Sequence, residues 1–327
     1  MMNLRKIKKK IGNVKNIKKI TRAMEMVSAS KLKRVQSRLF ALRPYASKLE
    51  EVMQRLLNSL PADTAIHPIL RARDDTPKAK RNLSIFVISS NKGLCGSYNN
   101  KILSAAANFT EEQINSSIEI IPLGKKTIDY FKAPRRSPKY SGESETNVPI
   151  SLNTPTLDKE IKPQTASRII NPFIRGYEAG SIDEIWIAYT EFINAMTYKP
   201  KIKRLVPILD SFNSSGIETP ALANTNTGKE KTLPAGAHES IMLDYLFEPQ
   251  AGIILDELIP VYLETIFYNI LLNALASEHA ARMMTMRNAT DNADEVIDEL
   301  TLSFNKARQG SITRELLDII GGANALK

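Results

Sequence analysis

Several things are scarce in this 327-residue chain. It has one cysteine, Cys95, which excludes an intrachain disulfide and a cysteine-rich metal site. Of its three histidines, His67, His238 and His279, none stands in a recognisable Cys-His arrangement, so Cys95 reads as a small buried thiol and not as a nucleophile. No apolar run reaches the roughly 18 residues that a membrane helix requires. A signal-peptide core is lacking near the N-terminus. Its first residues are basic and acid-poor, as in a transit peptide, but serine is scarce before Ser28 and a heptad pattern starts almost at once. Neither G-x-G-x-x-G nor G-x-x-x-x-G-K-[ST] occurs. Aromatic residues are absent before Phe40, so the N-terminal region has no platform for base stacking and no ring to anchor in a lipid interface.

What is abundant is helical periodicity. Alternating steps of three and four from Leu255 meet Leu258, Tyr262, Thr265, Asn269, Leu272, Ala276, His279, Met283, Met286, Thr290, Ala293, Ile297, Leu300, Phe304 and Ala307. Twelve of these sixteen positions are apolar or small, which is a coiled-coil pattern. Such a helix, from Gly252 to Asn324, would be roughly 110 Å long and needs a partner. The same step at the N-terminus reads Leu4, Ile7, Ile11, Val14, Lys18, Thr21, Glu25, Ser28, Leu32, Val35, Leu39, Leu42, Ala46, Leu49, Met53 and Leu56, again twelve apolar of sixteen. The four polar positions fall together. Beside them runs Ile17, Ile20, Met24 and Val27, so the seam is expected to slip onto that row and back, with a local change of supercoil. Two such segments far apart in the chain predict one antiparallel intramolecular coil; a bundle or a homodimeric coil is the alternative. Pro44 should bend or restart the first helix.

Between the arms the period changes. LSIFVISS (83–90) reads as a buried strand, NKGLCGSYNN (91–100) as a glycine turn opening a helix, SIEIIPLG (117–124) as a second strand and KKTIDYFKA (125–133) as a second helix. That alternation implies a parallel sheet with helices on its faces. A third helix should run from Thr165 to Gly180, with Pro172 as a disturbance. IDEIWIAYTEF (182–192) and KIKRLVPIL (201–209) should form an antiparallel edge hairpin around a turn at Lys199-Pro200. Residues 61–82 read as a polar linker, 134–163 as a long loop, 210–240 as a surface insertion, IMLDYLFEP (241–249) as a last strand, and Gly321-Gly322 as the cap of the final helix. The fold class is α/β: a long antiparallel coiled coil of N- and C-terminal helices with an inserted Rossmann-like α/β domain. Its parts are a first arm at 1–60, the α/β domain at 83–248 and a second arm at 249–327.

Charge is as uneven as periodicity. Residues 1–34 hold twelve Lys or Arg against one acid, Glu25, a balance of +11 in a chain whose total is +10. Three partners suit a basic rod: nucleic acid, an anionic membrane, or acidic protein surfaces. Gly93 and Gly96 could form an anion nest before a helix. The readings that follow from residues alone are a mechanical coiled-coil part with no catalytic site, a basic coiled-coil nucleic-acid binder, and a nucleotide-binding α/β enzyme.

Three stretches decide among them. IKKKIGNVKNIKKITRAMEMVSASKLKRVQ (7–36), SSNKGLCGSYN (89–99) and LASEHAARMMTMRNATDNADEVIDELTLSFNKARQGSITRELLDIIGGANAL (275–326) resemble the γ subunits of bacterial F-type ATP synthases. The resemblance implies a central rotor shaft in a proton-translocating ATP synthase, without cofactor, metal or nucleic acid. It would stand inside a ring of α and β subunits, meet the ε subunit and the membrane c-subunit ring, and lie peripherally on the cytoplasmic side of the cell (inner) membrane. It also implies contacts to the ring at Arg308 and Gln309, with Thr313 and Glu315 in the same segment, at Met24 with Arg22 beside it, and at Lys92. Most relatives have Arg in place of Lys92 and Asp in place of Asn91, so the planar fork is lost there while the charge is kept. Taking residues near 56 and 250 as level, Leu4 should face roughly residue 302. Beyond that point a single helix should project with small, flexible residues and few bulky knobs.

Overall fold

The computed structural model describes residues 4–59, 67–70, 81–113, 116–132, 161–208 and 251–325. Residues 134–160 of the expected loop at 134–163, the insertion at 210–240 and the strand at 241–249 lie outside the described residues. Among the described residues nine elements follow one another: α1 (Leu4–Ser59), β1 (Asn82–Ile88), α2 (Tyr98–Glu112), β2 (Ser117–Leu123), α3 (Lys125–Lys132), α4 (Pro163–Glu178), β3 (Glu184–Phe192), β4 (Tyr198–Val206) and α5 (Ala251–Ala325).

The sheet order is β2-β1-β3-β4, with β1 parallel to both neighbours and β4 antiparallel to β3. Alternation along β1 explains its two covers. Leu83, Ile85 and Val87 pack with Ile102, Leu103 and Ala106 of α2, whereas Phe86 and Ile88 enter the core shared with α4 and the long helices. Phe86 meets Phe173 of α4 at 4.7 Å and Phe267 of α5 at 5.2 Å, both edge to face, and so ties the sheet to the rod. Glu264 adds a polar tie from α5, accepting from Ser167 Oγ at 2.6 Å and Asn171 Nδ2 at 2.9 Å. The most apolar part of α5 is long enough to cross a membrane, but Leu255, Ile259, Leu263, Phe267 and Leu271 are spent in this core.

α1 and α5 form the antiparallel coil, and no seam residue of either helix is exposed. The expected slip of the seam does not occur. Ile17 and Ile20 are 53% and 60% exposed, Val27 is exposed and Met24 half-buried, while Thr21 and Ser28 are buried at 9% and 3%. The polar positions stay inside because the facing helix answers them: Thr21 Oγ1 lies 2.8 Å from Thr290 Oγ1, and Lys18 pairs with Asp294. These pairs also correct the register. Leu4 is seventeen residues before Thr21 and Ala307 seventeen after Thr290, so Leu4 faces Ala307, not residue 302.

Five further expectations give way to packing. α1 runs unbroken through Pro44, and α4 through Pro172. α4 starts at Pro163, whose missing N–H costs nothing at a helix N-terminus, and not at Thr165. Lys199 and Pro200 are strand residues paired with Glu191 and Thr190; the turn is at 193–197, and among the described residues β4 is the last strand of the sheet order, where a proline is tolerated. Ile69 and Leu70, assigned to a polar linker, are wholly buried in the main core. Gly321 and Gly322 do not cap α5, which continues to Ala325.

Candidate functional site

The residues implied as contacts lie at three levels of the rod. Arg22 and Met24 are on α1 next to the polar stretch; Arg22 is exposed and its Nη1 holds Glu25 Oε2 at 3.1 Å. Lys92 is exposed in the loop before α2. Arg308, Gln309, Thr313 and Glu315 are all exposed on α5, beyond the residue that faces Leu4. There the helix supports itself: Thr313 Oγ1 donates to the Gln309 carbonyl at 3.0 Å and Ser311 Oγ to Glu315 Oε1 at 3.3 Å. From Arg282, which touches the Lys92 loop, to Arg308 is about 39 Å along the axis. The structure therefore gathers Arg22 with Met24, and the four tip residues with one another, but makes no single pocket of them.

Eleven of the twelve basic residues in 1–34 are exposed; the twelfth, Lys18, is half-buried and paired. The first arm is thus a cationic sleeve around an internal seam. The expectation of a small-featured tip is corrected: Ile312, Leu316, Leu317, Ile319 and Ile320 are all exposed there. Apolar side chains left in water on a lone helix mark a surface that another chain covers.

The glycine turn is held to the rod through its carbonyls. The carbonyls of Lys92 and Gly93, not N–H groups, are engaged, accepting from Arg282 Nη2 at 3.1 Å and Nε at 3.4 Å. Cys95 is buried at 2% exposure beside Asn99 Nδ2 at 3.1 Å, as a small packed thiol. His279 is half-buried with Nδ1 lacking a partner, and burial, then Arg282 and Lys31, push its pKa down to about 4. A cleft of about 620 Å³ between β4 and the coil carries both signs, Lys201, Lys203 and Arg204 against Glu50 and Glu191. Burial lowers the Lys203 pKa there, with Glu50 opposing. Among the described residues, no group of three or more His, Cys, Asp or Glu could hold a metal ion. Reasoning from sequence missed Glu278 and Arg282, which sit off the seam row and announce nothing by spacing.

A two-helix rod with an α/β domain at one end and a bare, apolar helix at the other defines a stalk protein, built to stand in a socket. A family model described as ATP synthase matches residues 3–326. The chain is 35% identical over 328 residues to the ATP synthase gamma chain of Chloroflexus aurantiacus, spanning 100% of this chain and 99% of that one. It is 36% identical over 326 residues to that of Dehalococcoides mccartyi, with both chains fully covered. The same fold occurs in the mitochondrial ATP synthase of Euglena gracilis, with TM-score 0.57 at 19% identity over 99% of this chain and 94% of that one. It occurs too in the central stalk and c-ring structure from Tetrahymena thermophila, with TM-score 0.52 at 24% identity over 83% and 99%. This chain belongs to the ATP synthase gamma-chain family.

Proposed function

We propose that this chain is the central rotor shaft of a proton-translocating ATP synthase, coupling ion flow through a membrane c ring to ATP synthesis or hydrolysis at the β subunits. The observation that carries this reading is the register. Leu4, the first described residue of α1, stands opposite Ala307, and α5 continues from there to Ala325 with Ile312, Leu316, Leu317, Ile319 and Ile320 exposed. A ring of α and β subunits supplies the cover. The division follows the load: residues 1–60 and 249–327 are the arms, and 83–248 is the foot that meets the ε subunit and the c ring. The complex lies peripherally on the cytoplasmic side of the inner membrane, and this chain carries no catalytic site itself.

The mechanism needs only differential contact. A shaft biases each β subunit between open and closed forms by the difference in interaction energy between its faces and those forms. The faces of this rod do differ: a cationic α1 with a stripe at Ile17, Ile20 and Val27, the Lys92 loop, and the tip with Arg308, Gln309, Thr313 and Glu315. Exposed cations meet acidic loops through attraction that solvent and salt screen, so the shaft is held without being locked.

The test is coexpression with the α and β subunits of the same organism. One copy per ring, with ATP turnover that depends on it and falls in Arg308→Ala with Gln309→Ala, is the expected result. A chain that does not associate with the ring, and instead binds DNA tightly and salt-dependently, would return the basic rod to nucleic acid.

A further inference from the structure

The loop between β1 and α2 is fastened to the shaft more firmly than a connection requires. Arg282 of α5 is 9% exposed, and its guanidinium reaches the Lys92 carbonyl at 3.1 Å and the Gly93 carbonyl at 3.4 Å. One turn earlier Glu278 Oε1 lies 2.8 Å from Nη2, which braces the fork. Bonds from an ionised donor are roughly twice as strong as neutral ones. Ser90 Oγ donates to the same Lys92 carbonyl at 2.6 Å from the strand side. Beyond the fork, Tyr98 Oη donates to the Ala274 carbonyl at 3.2 Å, and Cys95 and Tyr98 close on Ala281. Gly96 has φ +57°, and a Cβ there would stand 2.8 Å from Thr285 Oγ1, so the backbone sits directly against α5.

The other side of the loop faces solvent. Lys92 is exposed, and Leu94 is 60% exposed with φ 63°. A leucine is poorly suited to the left-handed region, where Gly or Asn is accommodated. Its side chain recovers little by burial. A strained residue that offers its apolar side chain to water, on a loop locked from behind, suits a contact made to something else.

We propose that the 91–97 loop, locked to α5 by Arg282, adds Leu94 to the contact expected at Lys92, the two side chains meeting one segment of a surrounding subunit. Arg282 is its positioning residue. The inference rests on the shaft reading and adds Leu94 and Arg282 to it. Because Arg282 holds backbone carbonyls, a push on either exposed side chain passes to α5 without first bending the loop.

Two measurements test it. In the isolated full-length chain, Arg282→Met should speed amide hydrogen exchange at residues 92–97 by about tenfold, the equivalent of losing charge-assisted bonds. The α1 amides from Thr21 to Leu39 should keep their protection. Unchanged exchange at 92–97 in a folded Arg282→Met chain overturns the lock. Should that variant not fold, Arg282→Lys, which keeps charge without the fork, is read the same way: faster exchange supports the lock and unchanged exchange overturns it. In the assembled complex, Leu94→Asn should lower ATP turnover although the isolated chain melts no lower than wild type. Combined with Lys92→Ala, the loss should be smaller than the product of the single losses, because both side chains serve one partner segment. Wild-type turnover in Leu94→Asn, or independent losses, overturns the shared contact. Failure of the wild-type chain to join the ring removes the shaft reading instead, and the exchange measurement still decides Arg282.

Discussion

The two halves of the coil hold together by different means. In the lower half, Leu32, Val35 and Leu39 pack with Leu272, Ala276 and Ala280, and further down Leu49 and Met53 join the core beneath the sheet with Leu255, Ile259 and Tyr262. In the upper half, the seam carries Lys18, Thr21, Glu25 and Ser28, and Thr290 and Asp294 answer from α5. The lower half is stabilised by apolar area taken from water; the upper half is kept in register by matched polar groups, which contribute little net stability. A shaft of this design is anchored where it meets its own domain and left thin where other subunits are to surround it.

The largest effect expected from breaking this contrast is in the lower half. Leu39→Ala, at 2% exposure, should cost about 2–5 kcal/mol in urea unfolding of the isolated chain. A loss below 1 kcal/mol would mean that the lower seam is not the anchor.

Acidification probes the boundary between the halves, where His279 sits near Lys31, Glu278 and Arg282. Its folded pKa is pushed down to about 4 from an ordinary value of 6.5. Between those values the unfolded chain takes up a proton that the folded chain refuses, so stability is lost as pH falls from about 6.5 towards 4, by ~2–3 kcal/mol. Glu278, whose pKa burial raises, opposes part of that loss. His279→Leu should flatten this limb of the stability curve; an unchanged limb would assign it to other groups.

Smaller again is the upper seam. Thr21→Val should cost about 1 kcal/mol, whereas Thr21→Val with Thr290→Val should be near neutral, since both polar partners leave together. Equal losses from the single and the double change would deny the pair its reciprocal character. Smallest is the outer stripe: Ile17→Ser with Ile20→Ser should shift the stability of the isolated chain by no more than about 0.5 kcal/mol per site. A loss of several kcal/mol would place those residues in the seam after all.

Most of the architecture was legible along the chain. Every seam position from Leu255 to Ala307 and from Leu4 to Leu56 is at least half-buried, and β1, β2, β3 and α3 lie within a residue or two of where their periods placed them, while α2 starts three residues inside the expected turn. Candidate contact residues could be named through resemblance, and their exposure at Arg22, Lys92, Arg308 and Gln309 is compatible with contact. Hydrophobicity misled at Ile17 and Ile20, because a row of apolar residues looks like a core from one strand of the pair alone. Nothing local marks Arg282 as the residue that holds the Lys92 loop; it is one of several charged residues in a long helix.

The sequence by itself determined that two long helices pair around an α/β unit, because periodicity of 3.5 or 2 is written in the spacing of neighbours and makes one face of each element apolar wherever it ends up. Only the tertiary structure decided which of two rows in residues 17–28 faces inward, that Leu4 stands opposite Ala307, that Pro200 lies within a strand, and that the loop at 91–97 is locked to α5. Each of these depends on an atom supplied from a distant part of the chain, such as Thr290 for Thr21 or Arg282 for Lys92, and its energy exists only once the two are together.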